Sequence, residues 1–527
     1  MLLNDGSGAS REALLSVRME QLDPYNVPIR RRSIFHRESF LVQFASKPGP
    51  RSIIILMVCV AMGVGSTIGV VPAVMMDRYA RLNHGYNEAE ECALLLVKPQ
   101  ACLDGSADAQ NASAMSNLVS NGLTFATSSL MGSLSDEHGR RLLMVMGVFL
   151  SLLSPVCLVF MQLIPSMSPW WYYAARACAG LINWIAVALS SLSDVMPPEW
   201  RAASFGMLLA GLFLGFAMSP QLSLLMTHFH VSVLAAAVVL FGFVYAVFCF
   251  PETLPPERAA IASQLRQAQV EGMTPTERLF WNLKRPAWEL SILNRNQLFR
   301  LLSVLAFFSG MVSSGDQTLL LYYVEERLAF NDHDVATMFL IMGLLGIFAQ
   351  AVLLKPFIEC VGERLVVTFC FLVGAADNFM YGIAKDKTLV FVAMGLGSLT
   401  NMSFPTISAI KANNVNESEQ GRIQGALYSV QALASGTGPM AMRCVYHFTK
   451  DGAFMGPGSM FVFASTLMVV ASGCAFALPK DKADSRRQHD RQENVPDGNG
   501  DENESTPFVV DGTDSVSSGS YGGIDEA

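Results

Sequence analysis

The chain has 527 residues, of which 51% are hydrophobic and only 15% charged, and its mean hydropathy is +0.36. This composition indicates a membrane protein and excludes a soluble multidomain enzyme, a nucleic-acid-binding protein and a disulfide-rich secreted domain. The formal net charge of −8 is concentrated after residue 478, where 12 acidic and five basic residues leave −7. The rest of the chain is nearly neutral and has no basic excess to bind a polyanion.

In chain order, a polar N-terminal tail precedes apolar runs of about 20 residues, the length of a helix that crosses ~30 Å of hydrocarbon. Lipid does not hydrogen-bond exposed backbone, so these runs predict helices. The first six spans are predicted at 52–76, 114–132, 142–163, 170–192, 203–225 and 231–250. The second six are predicted at 299–323, 335–354, 365–383, 388–410, 423–442 and 458–478.

The spans divide the chain into five segments. These are a cytosolic N-terminal tail at 1–51, a six-helix bundle at 52–250, a cytosolic central loop at 251–298, a second six-helix bundle at 299–478 and a disordered acidic tail at 479–527. Of the 36 lysines and arginines, 27 fall on the side of both termini and eight on the other. This asymmetry predicts that both termini are cytosolic. It does not distinguish the plasma membrane from an endomembrane.

The two groups of spans repeat one another. Aligning Gly139 in the loop between spans 2 and 3 with Gly362 in the loop between spans 8 and 9 also aligns Asp136 with Glu359, at an offset of 223. A glycine and a proline in span 5 match a pair in span 11 at an offset of 219. Such duplication predicts two bundles around a central path, as in alternating-access carriers.

Motifs in both halves resemble a known family. The loop between spans 2 and 3 reads Gly132-x-Leu134-x-Asp136-x-x-Gly139-Arg140-Arg141, which resembles the signature loop of the major facilitator superfamily. The segments at 404–409 and 419–425 resemble its hippocampus-abundant-transcript branch, which is related to bacterial tetracycline-resistance antiporters. The resemblance covers about residues 50–480.

The resemblance implies a fold and a function. The fold is an all-α membrane protein with twelve transmembrane helices in two pseudo-symmetric six-helix bundles. The function is secondary transport of a small organic solute by alternating access, with proton-coupled antiport as one form. The alternative is a transport-inactive membrane receptor or sorting scaffold that retains the carrier fold, because a fold does not determine a function.

The repeated loops predict a conformational latch. Asp136 is expected to accept hydrogen bonds from Arg140 or Arg141 and to lie near the positive N-terminal end of span 11. Glu359 and Arg364 are expected to form a weaker mirror image against span 5. The alternative is that these residues only set the topology and cap helices. The latch candidates are Gly132, Asp136, Gly139, Arg140, Arg141, Glu359, Gly362 and Arg364.

Three charged residues within the predicted spans are candidates for proton or substrate coupling, because an ion in the hydrocarbon region is costly and usually functional. Arg176 in span 4 is the only basic residue placed inside a span, with Arg300 at the start of span 7 counted in the central loop, and its alternative is to reach the outer interface. Asp316 lies in the outer third of span 7, at either a substrate contact or a wet helix end. Asp377 lies deeper in span 9, where a structural hydrogen bond is favoured.

Polar residues of the inner spans are expected to line the cavity, although any one of them also suits a contact between helices. The cavity candidates are Asn121, Thr124, Asn183, Gln317, Asn401, Tyr428 and Gln431. Small residues and prolines predict close packing or a gating bend. These bends are placed at Gly215, Pro220, Gly438 and Pro439.

The loop between spans 1 and 2 holds Cys92 and Cys102, which are candidates for a disulfide, and Asn111 in a sequon, which is a candidate for glycosylation. No metal-ligand spacing, nucleophile motif or phosphate-binding loop is present in the sequence. The sequence therefore predicts a protein that is not an enzyme, needs no cofactor or metal, binds neither nucleotide nor nucleic acid, and works as a monomer in the lipid bilayer on a small solute and protons.

Overall fold

The structure is a computed structural model. It describes residues 40–479 except 69, 89, 93–94, 96–98, 273, 329, 331 and 450–455, and these residues belong to one compact unit. Most of the predicted N-terminal tail, at 1–39, and the acidic tail after residue 479 lie outside the described residues.

The first half consists of helices from α1 to α9. They are α1 (Phe40–Ser46), α2 (Pro48–Ser66), α3 (Val70–Asn83), α4 (Gln100–His138), α5 (Arg140–Leu163), α6 (Trp170–Cys178), α7 (Trp184–Val195), α8 (Arg201–Leu225) and α9 (His228–Cys249). The central loop then forms α10 (Pro256–Val270) and α11 (Pro275–Glu289). The residue pattern of the central loop predicts an amphipathic helix near 257–271, which coincides with α10.

The second half consists of helices from α12 to α19. They are α12 (Gln297–Leu328), α13 (Asp332–Ile347), α14 (Leu354–Val361), α15 (Glu363–Ile383), α16 (Lys387–Gly397), α17 (Ser403–Asn413), α18 (Gln420–Thr449) and α19 (Ser459–Phe476). A π-helical turn at Phe348–Leu353 joins α13 to α14, so these three elements form one span. The described residues contain no strand.

The all-α membrane fold is confirmed. Within the described residues, nine helices or helix pairs are long and apolar enough to cross a membrane. The other three predicted spans, 114–132, 203–225 and 423–442, coincide with α4, α8 and α18. These three helices form the seams between the halves: α4 packs on α18, and α8 packs on α13. A helix that faces protein rather than lipid has less need of an apolar composition, as the serine-rich and asparagine-rich α4 illustrates.

Spans 1 and 2 differ from their predicted bounds. Span 1 ends as α2 at Ser66, and α3 continues the chain to Asn83, well beyond the predicted end. Span 2 begins at Gln100 rather than at residue 114, because α4 is 39 residues long. Two backbone atoms of α3 lie where a Cβ atom on Gly105 would stand, so the glycine allows α4 to pack closely on α3.

Spans 4 and 10, at equivalent places in the repeat, are broken helices rather than continuous ones. Span 4 stops at a 3₁₀ turn over Ala179–Leu181 and restarts as α7. Span 10 stops after α16, turns over Thr400–Met402 and restarts as α17. Both runs are apolar enough to hide their breaks in a hydropathy pattern, so the sequence predicted uninterrupted helices.

The backbone groups that are left without helical partners at the break in span 4 form hydrogen bonds with neighbouring side chains. Thr124 and Thr127 on α4 donate hydrogen bonds to the carbonyl oxygens of Gly180 and Leu181, at 3.0 Å and 2.8 Å. The carboxamide oxygen of Asn183 accepts hydrogen bonds from the first amides of α7, those of Ile185 and Ala186. Asn183 is therefore the N-cap of α7, which explains why the second segment starts where it does.

We expect Asn183→Ala to destabilise the protein by about 1–2 kcal/mol, because it removes the side-chain oxygen that accepts hydrogen bonds from the first amides of α7. Thermal unfolding of the purified protein should show a lower melting temperature. Asn121→Ala is the matched control, since Asn121 lies on the cavity wall. Equal melting temperatures for the two variants would contradict the capping role of Asn183.

Candidate functional site

A cavity of about 1830 Å³ lies between the two halves. Its wall includes Gln350 and Ser403 in the interior, and it extends to Ser106 near the start of α4 and to Tyr446 near the end of α18. Since α4 and α18 run in opposite directions, these last two residues mark one end of the molecule. We call this the open end, and we call the opposite end, which holds Asp136, the latch end.

Five of the seven cavity candidates from the sequence line this cavity. They are Asn121, Gln317, Asn401, Tyr428 and Gln431. Thr124 and Asn183 are not among its lining residues, and they instead satisfy the backbone at the break in span 4. The sequence placed all seven on the correct spans but did not show which polar groups the broken helix would use.

Two arginines from opposite halves face the cavity. Arg176 on α6 and Arg443 on α18 both line it, and both are exposed. Neither takes part in a salt bridge with any described carboxylate. Arg443 follows directly on the predicted end of span 11, so the sequence analysis counted it as a loop residue. The solvent-accessible surface of the cavity therefore carries two unpaired cations.

The two acidic candidates meet on the cavity wall of the second half. Asp316 on α12 and Asp377 on α15 are bridged by one side chain, since Asn378 Nδ2 donates to Asp316 Oδ2 at 3.2 Å and to Asp377 Oδ1 at 3.1 Å. Asp377 is 6% exposed and Asn378 is 1% exposed. Asp377 therefore makes the hydrogen bond that the sequence favoured and also lines the cavity.

The cavity is closed at the latch end by Asp136. Its carboxylate accepts hydrogen bonds from the backbone amides of Gly421 and Arg422, at 2.8 Å and 2.9 Å, at the N-terminus of α18. Gly132 and Gly421 meet backbone to backbone, where a Cβ atom on either would overlap the other. The glycines allow the close approach, and the carboxylate satisfies amides that a helix start leaves without partners.

Arg140 holds this carboxylate from behind. Its guanidinium lies 2.7 Å from Asp136 and 2.9 Å from Asp194, and all three side chains are buried. Arg141 instead donates to the carbonyl oxygen of Val247, at 2.6 Å. Glu252 accepts from the backbone amides of Arg140 and Arg141, at 2.9 Å and 3.1 Å. Two of these acids, Asp194 and Glu252, were not expected from the sequence as part of the latch.

The aligned residues of the second half are placed differently. Glu359 is exposed, 3.5 Å from Lys355 on the same helix, and Arg364 donates to the carbonyl oxygen of Phe476 on α19. These contacts stay within the second half. Gly362 has a positive φ of 88° at the start of α15, as Gly139 has 97° at the start of α5, so the repeat preserves this turn.

A different set of contacts joins the halves on that side. Lys355 lies over the rings of Phe40 and Trp200, 5.2 Å and 5.8 Å from their centroids. Arg201 donates to the carbonyl oxygen of Ala412 and to Asn413 Oδ1, at 3.1 Å and 3.0 Å, at the end of α17. The mirror-image contact therefore uses aromatic rings and a helix C-terminus in place of a carboxylate.

Helices of the central loop reinforce the latch end with a charge network, which we call the clasp. Arg285 on α11 pairs with Glu137 of the first half and, at 3.1 Å, with Glu289. Glu289 lies 2.7 Å from Arg422 of the second half. Arg258 on α10 pairs with Glu417 of the second half at 2.5 Å. The clasp residues are Glu137, Arg258, Arg285, Glu289, Glu417 and Arg422.

Lys411 corrects the expectation that Arg176 is the only basic residue within a span. The sequence ended span 10 at residue 410, whereas α17 continues to Asn413 and buries the Lys411 side chain completely. Its amine donates to Ser303 Oγ on α12, at 3.1 Å. The signal available in the sequence was weak, since a lysine at the end of an apolar run usually marks the membrane boundary.

The predicted bends coincide with tight helix contacts. A Cβ atom on Gly215 would overlap the backbone of α2, and one on Gly438 would overlap the backbone of α12. Pro439 lies inside α18 and lines the cavity. Pro220 lies inside α8, and its side chain is outside the described part of the structure.

The open end carries the remaining predicted features. Cys92 and Cys102 form a disulfide. Asn111 is exposed but lies within α4 rather than in a loop. Asp108, one turn earlier, accepts hydrogen bonds from Asn83 and His84, and these contacts hold the pKa of its carboxyl below the ordinary value. The disulfide and these hydrogen bonds fasten the start of α4 to the end of α3 and the loop that follows it.

Known proteins share this sequence pattern and fold. A family model described as Major Facilitator Superfamily matches residues 53–439. The human Hippocampus abundant transcript 1 protein is 22% identical over 333 residues, or 62% of this chain and 64% of that protein, so the chain spans less than two thirds of that relative's length. Tetracycline resistance protein, class C, of Escherichia coli is 25% identical over 62% of this chain and 77% of its own length.

A solved structure shows the same fold. The crystal structure of the human organic anion transporter MFSD10 (TETRAN) matches with a TM-score of 0.66 and 18% sequence identity. The match covers 83% of this chain and 100% of that one. At this identity the similarity shows the fold alone.

We expect Asp136→Asn to open the latch end, because the variant loses the negatively charged carboxylate that accepts hydrogen bonds from two backbone amides. Hydrogen bonds to a charged group contribute about 1.5–3 kcal/mol, and 1.4 kcal/mol is a factor of ten in an equilibrium. The opening can be followed with Ser190→Cys in a background without other free cysteines. Ser190 is buried beside Gln420 of the other half, so a thiol at this position reacts with a reagent from solution only when the halves separate. Its alkylation by a maleimide should accelerate by roughly ten-fold or more.

The matched control for this experiment is Glu359→Gln, which changes the aligned carboxylate of the other half. Since Glu359 is exposed and its ion pair is with a residue on its own helix, the alkylation rate should remain that of the parent. Equal acceleration by both variants would show that the latch does not depend on the contact between Asp136 and α18.

Proposed function

Because the chain belongs to the major facilitator superfamily, we propose that it is a secondary transporter that moves a small organic anion across a membrane by alternating access. The observation that carries the proposal is the cavity between the halves, which is closed at the latch end by direct contacts between them. A site that both halves line becomes accessible from the other side when the halves rock about it.

The anionic character of the solute is proposed from the cavity surface. Arg176 and Arg443 are exposed to the cavity without a carboxylate partner, one from each half. The rest of the wall includes apolar side chains such as Phe213 and Met342 and polar groups such as Asn121. Such a wall suits a solute with an apolar body and an acidic group. A structural relative is described as an organic anion transporter, which agrees with this reading.

We propose proton exchange as the form of coupling. Asp316 and Asp377 lie on the cavity wall without a cationic partner, and a carboxyl in such a place gains or loses a proton as its access to water changes. The latch end is proposed to be the cytosolic end, with both termini, because the loops there hold most of the lysines and arginines. The protein is proposed to act as a monomer, since a single chain lines the whole cavity.

Transport by the purified full-length protein in liposomes tests the proposal. We expect uptake of small carboxylate or sulfonate solutes that responds to a pH gradient, and we expect Arg176→Gln or Arg443→Gln to lower the rate of uptake by roughly ten-fold or more, as the loss of an ion pair with the solute predicts. Arg51→Gln is the control, because Arg51 is exposed on α2 and does not line the cavity.

Two results would contradict the proposal. Faster uptake of cationic solutes in the arginine variants, with no uptake of anions by the parent, would overturn the anion assignment. Saturable binding of solutes without flux over a broad panel would favour the alternative of a receptor or sorting scaffold.

A further inference from the structure

We propose that Asn401, Tyr428 and Gln431 form a second binding subsite, which we call the floor, and that the floor binds an uncharged hydroxyl group of the solute. The solute then carries its acidic group at one end and the hydroxyl group at the other. The inference rests on the proposed function for the acidic group, whereas the floor rests on the contacts described below. All three residues belong to the second half and line the cavity.

The first observation is that the protein does not use the polar groups of these side chains. Among the described residues, none donates a hydrogen bond to the side chains of Asn401, Tyr428 or Gln431, and none accepts one from them. The three side chains are half-buried at the cavity wall. Two carboxamides and a phenol both donate and accept hydrogen bonds, as a hydroxyl group does. A few such groups on a largely apolar wall determine which solute a cavity binds.

The second observation is that packing brings the three side chains together. Tyr428 and Gln431 lie one turn apart on α18, so they share a face of the helix. Phe404, one turn after Asn401, packs edge to face on Tyr428, with ring centroids 5.5 Å apart. Gly310 of α12 packs against the Cγ atom of Gln431. The floor therefore lies where α12, α18 and the break in span 10 meet.

The third observation is that the break in span 10 leaves its asparagine free. At the break in span 4, the side chain of Asn183 is used to cap α7. At the break in span 10, Gln350 Nε2 donates instead to the carbonyl oxygen of Asn401, at 2.8 Å. Gln350 belongs to the π-helical turn of span 8, and such turns are frequent at functional sites. Gln350 is therefore a positioning residue, and the carboxamide of Asn401 remains available to a ligand.

The floor and Arg443 lie at opposite ends of one cavity wall. Arg443 follows Gln431 by twelve residues and Tyr428 by fifteen on the continuous helix α18. At about 1.5 Å per residue, their Cα atoms are about 18 Å and 22 Å apart along the helix. Apart from Ser435, the α18 residues that line the cavity between them are Gly436, Pro439 and Met440. The wall thus has an acid-binding end, a largely apolar middle and a hydroxyl-binding end, which suits an elongated solute.

The test measures binding by the full-length protein in lipid nanodiscs, so it does not depend on transport. Isothermal titration calorimetry, with empty nanodiscs as the blank, compares ω-hydroxyalkanoates with alkanoates of the same length. For short chains we expect equal affinities, because a probe held by the arginines does not reach the floor. Once the chain is long enough, we expect the hydroxyl group to lower the Kd by roughly ten-fold, since it gains hydrogen bonds.

Conservative variants identify the residues that cause this difference. Tyr428→Phe and Gln431→Met keep the size of the side chain and should bring the affinity for long hydroxyalkanoates down to that for alkanoates. Gln350→Met should reduce the same ratio of affinities, which a general loss of stability does not change. Tyr446→Phe is the matched control, because it makes the same change on the same helix at the open end of the cavity. It should keep the ratio of the parent.

A second arm separates the floor from the anion assignment. It uses α,ω-alkanediols, which carry hydroxyl groups but no acid. Their binding should be weakened by Tyr428→Phe and unaffected by Arg443→Gln. Binding of diols without binding of either acid would contradict the proposed anion and support the floor.

Four results would overturn the floor. The first is a ratio of affinities that stays at one for every chain length, and the second is a parent that binds neither acids nor diols. The third is an equal loss in Tyr446→Phe and Tyr428→Phe. The fourth is tighter binding of ω-aminoalkanoates than of ω-hydroxyalkanoates, because it would assign the remote end of the solute to a cationic group beside Asp316 and Asp377.

Discussion

The contact between the Asp136 carboxylate and the first amides of α18 is the interaction on which this conformation depends. A helix start presents several amide hydrogens without acceptors, and here an acid from the other half satisfies two of them. When the latch end opens, the carboxylate and the amides become exposed to water together. The contact is therefore made or broken as a unit, which is what a two-state carrier requires of its gate.

The buried ion triad behind this contact makes the latch selective for one geometry. Asp136 shares Arg140 with Asp194, so its orientation is set from within the first half before α18 arrives. Removing one member would leave a buried charge without its partner, which is more costly than losing an exposed pair. The clasp also ties the central loop, which connects the two halves covalently, to the latch end. Glu289 meets Arg285 and Arg422, so α11 must separate from one half when the halves part.

The sequence predicted most of the fold because its strongest signals are local. Runs of apolar residues, a basic side and a repeated loop specify the spans, the two bundles and the position of Asp136 at the latch. The clasp was less accessible, because Arg258 and Glu417 are 159 residues apart and look like ordinary loop charges. The broken spans were missed for a related reason. A break costs little when side chains satisfy it, so a few polar residues such as Asn183 are enough and the run as a whole remains apolar.

The repeat also misled where the two copies have diverged. Aligning Glu359 with Asp136 predicted an acid against span 5, yet the contact there uses Lys355 over aromatic rings and Arg201 at a helix end. Aligned residues occupy equivalent backbone positions in the two halves, but the groups that face them from the other half can differ. Lys411 illustrates the same limit, because only the packing of α12 against α17 shows that this amine is enclosed.

Divergence between the copies also confines the proposed coupling site to one half. In the first half, no carboxylate is among the described residues that line the cavity, and the backbone at the break in span 4 is already satisfied by threonine hydroxyls. In the second half two carboxylates lie beside the equivalent break, and the proposed proton exchange would change their charge. The anion that is proposed to bind between Arg176 and Arg443 would contact both bundles. The proposed coupling site therefore lies in the second half, where α12 and α18 pack closely at Gly438 and α18 carries the amides that donate to Asp136. One continuous helix thus joins the wall of the cavity to the latch.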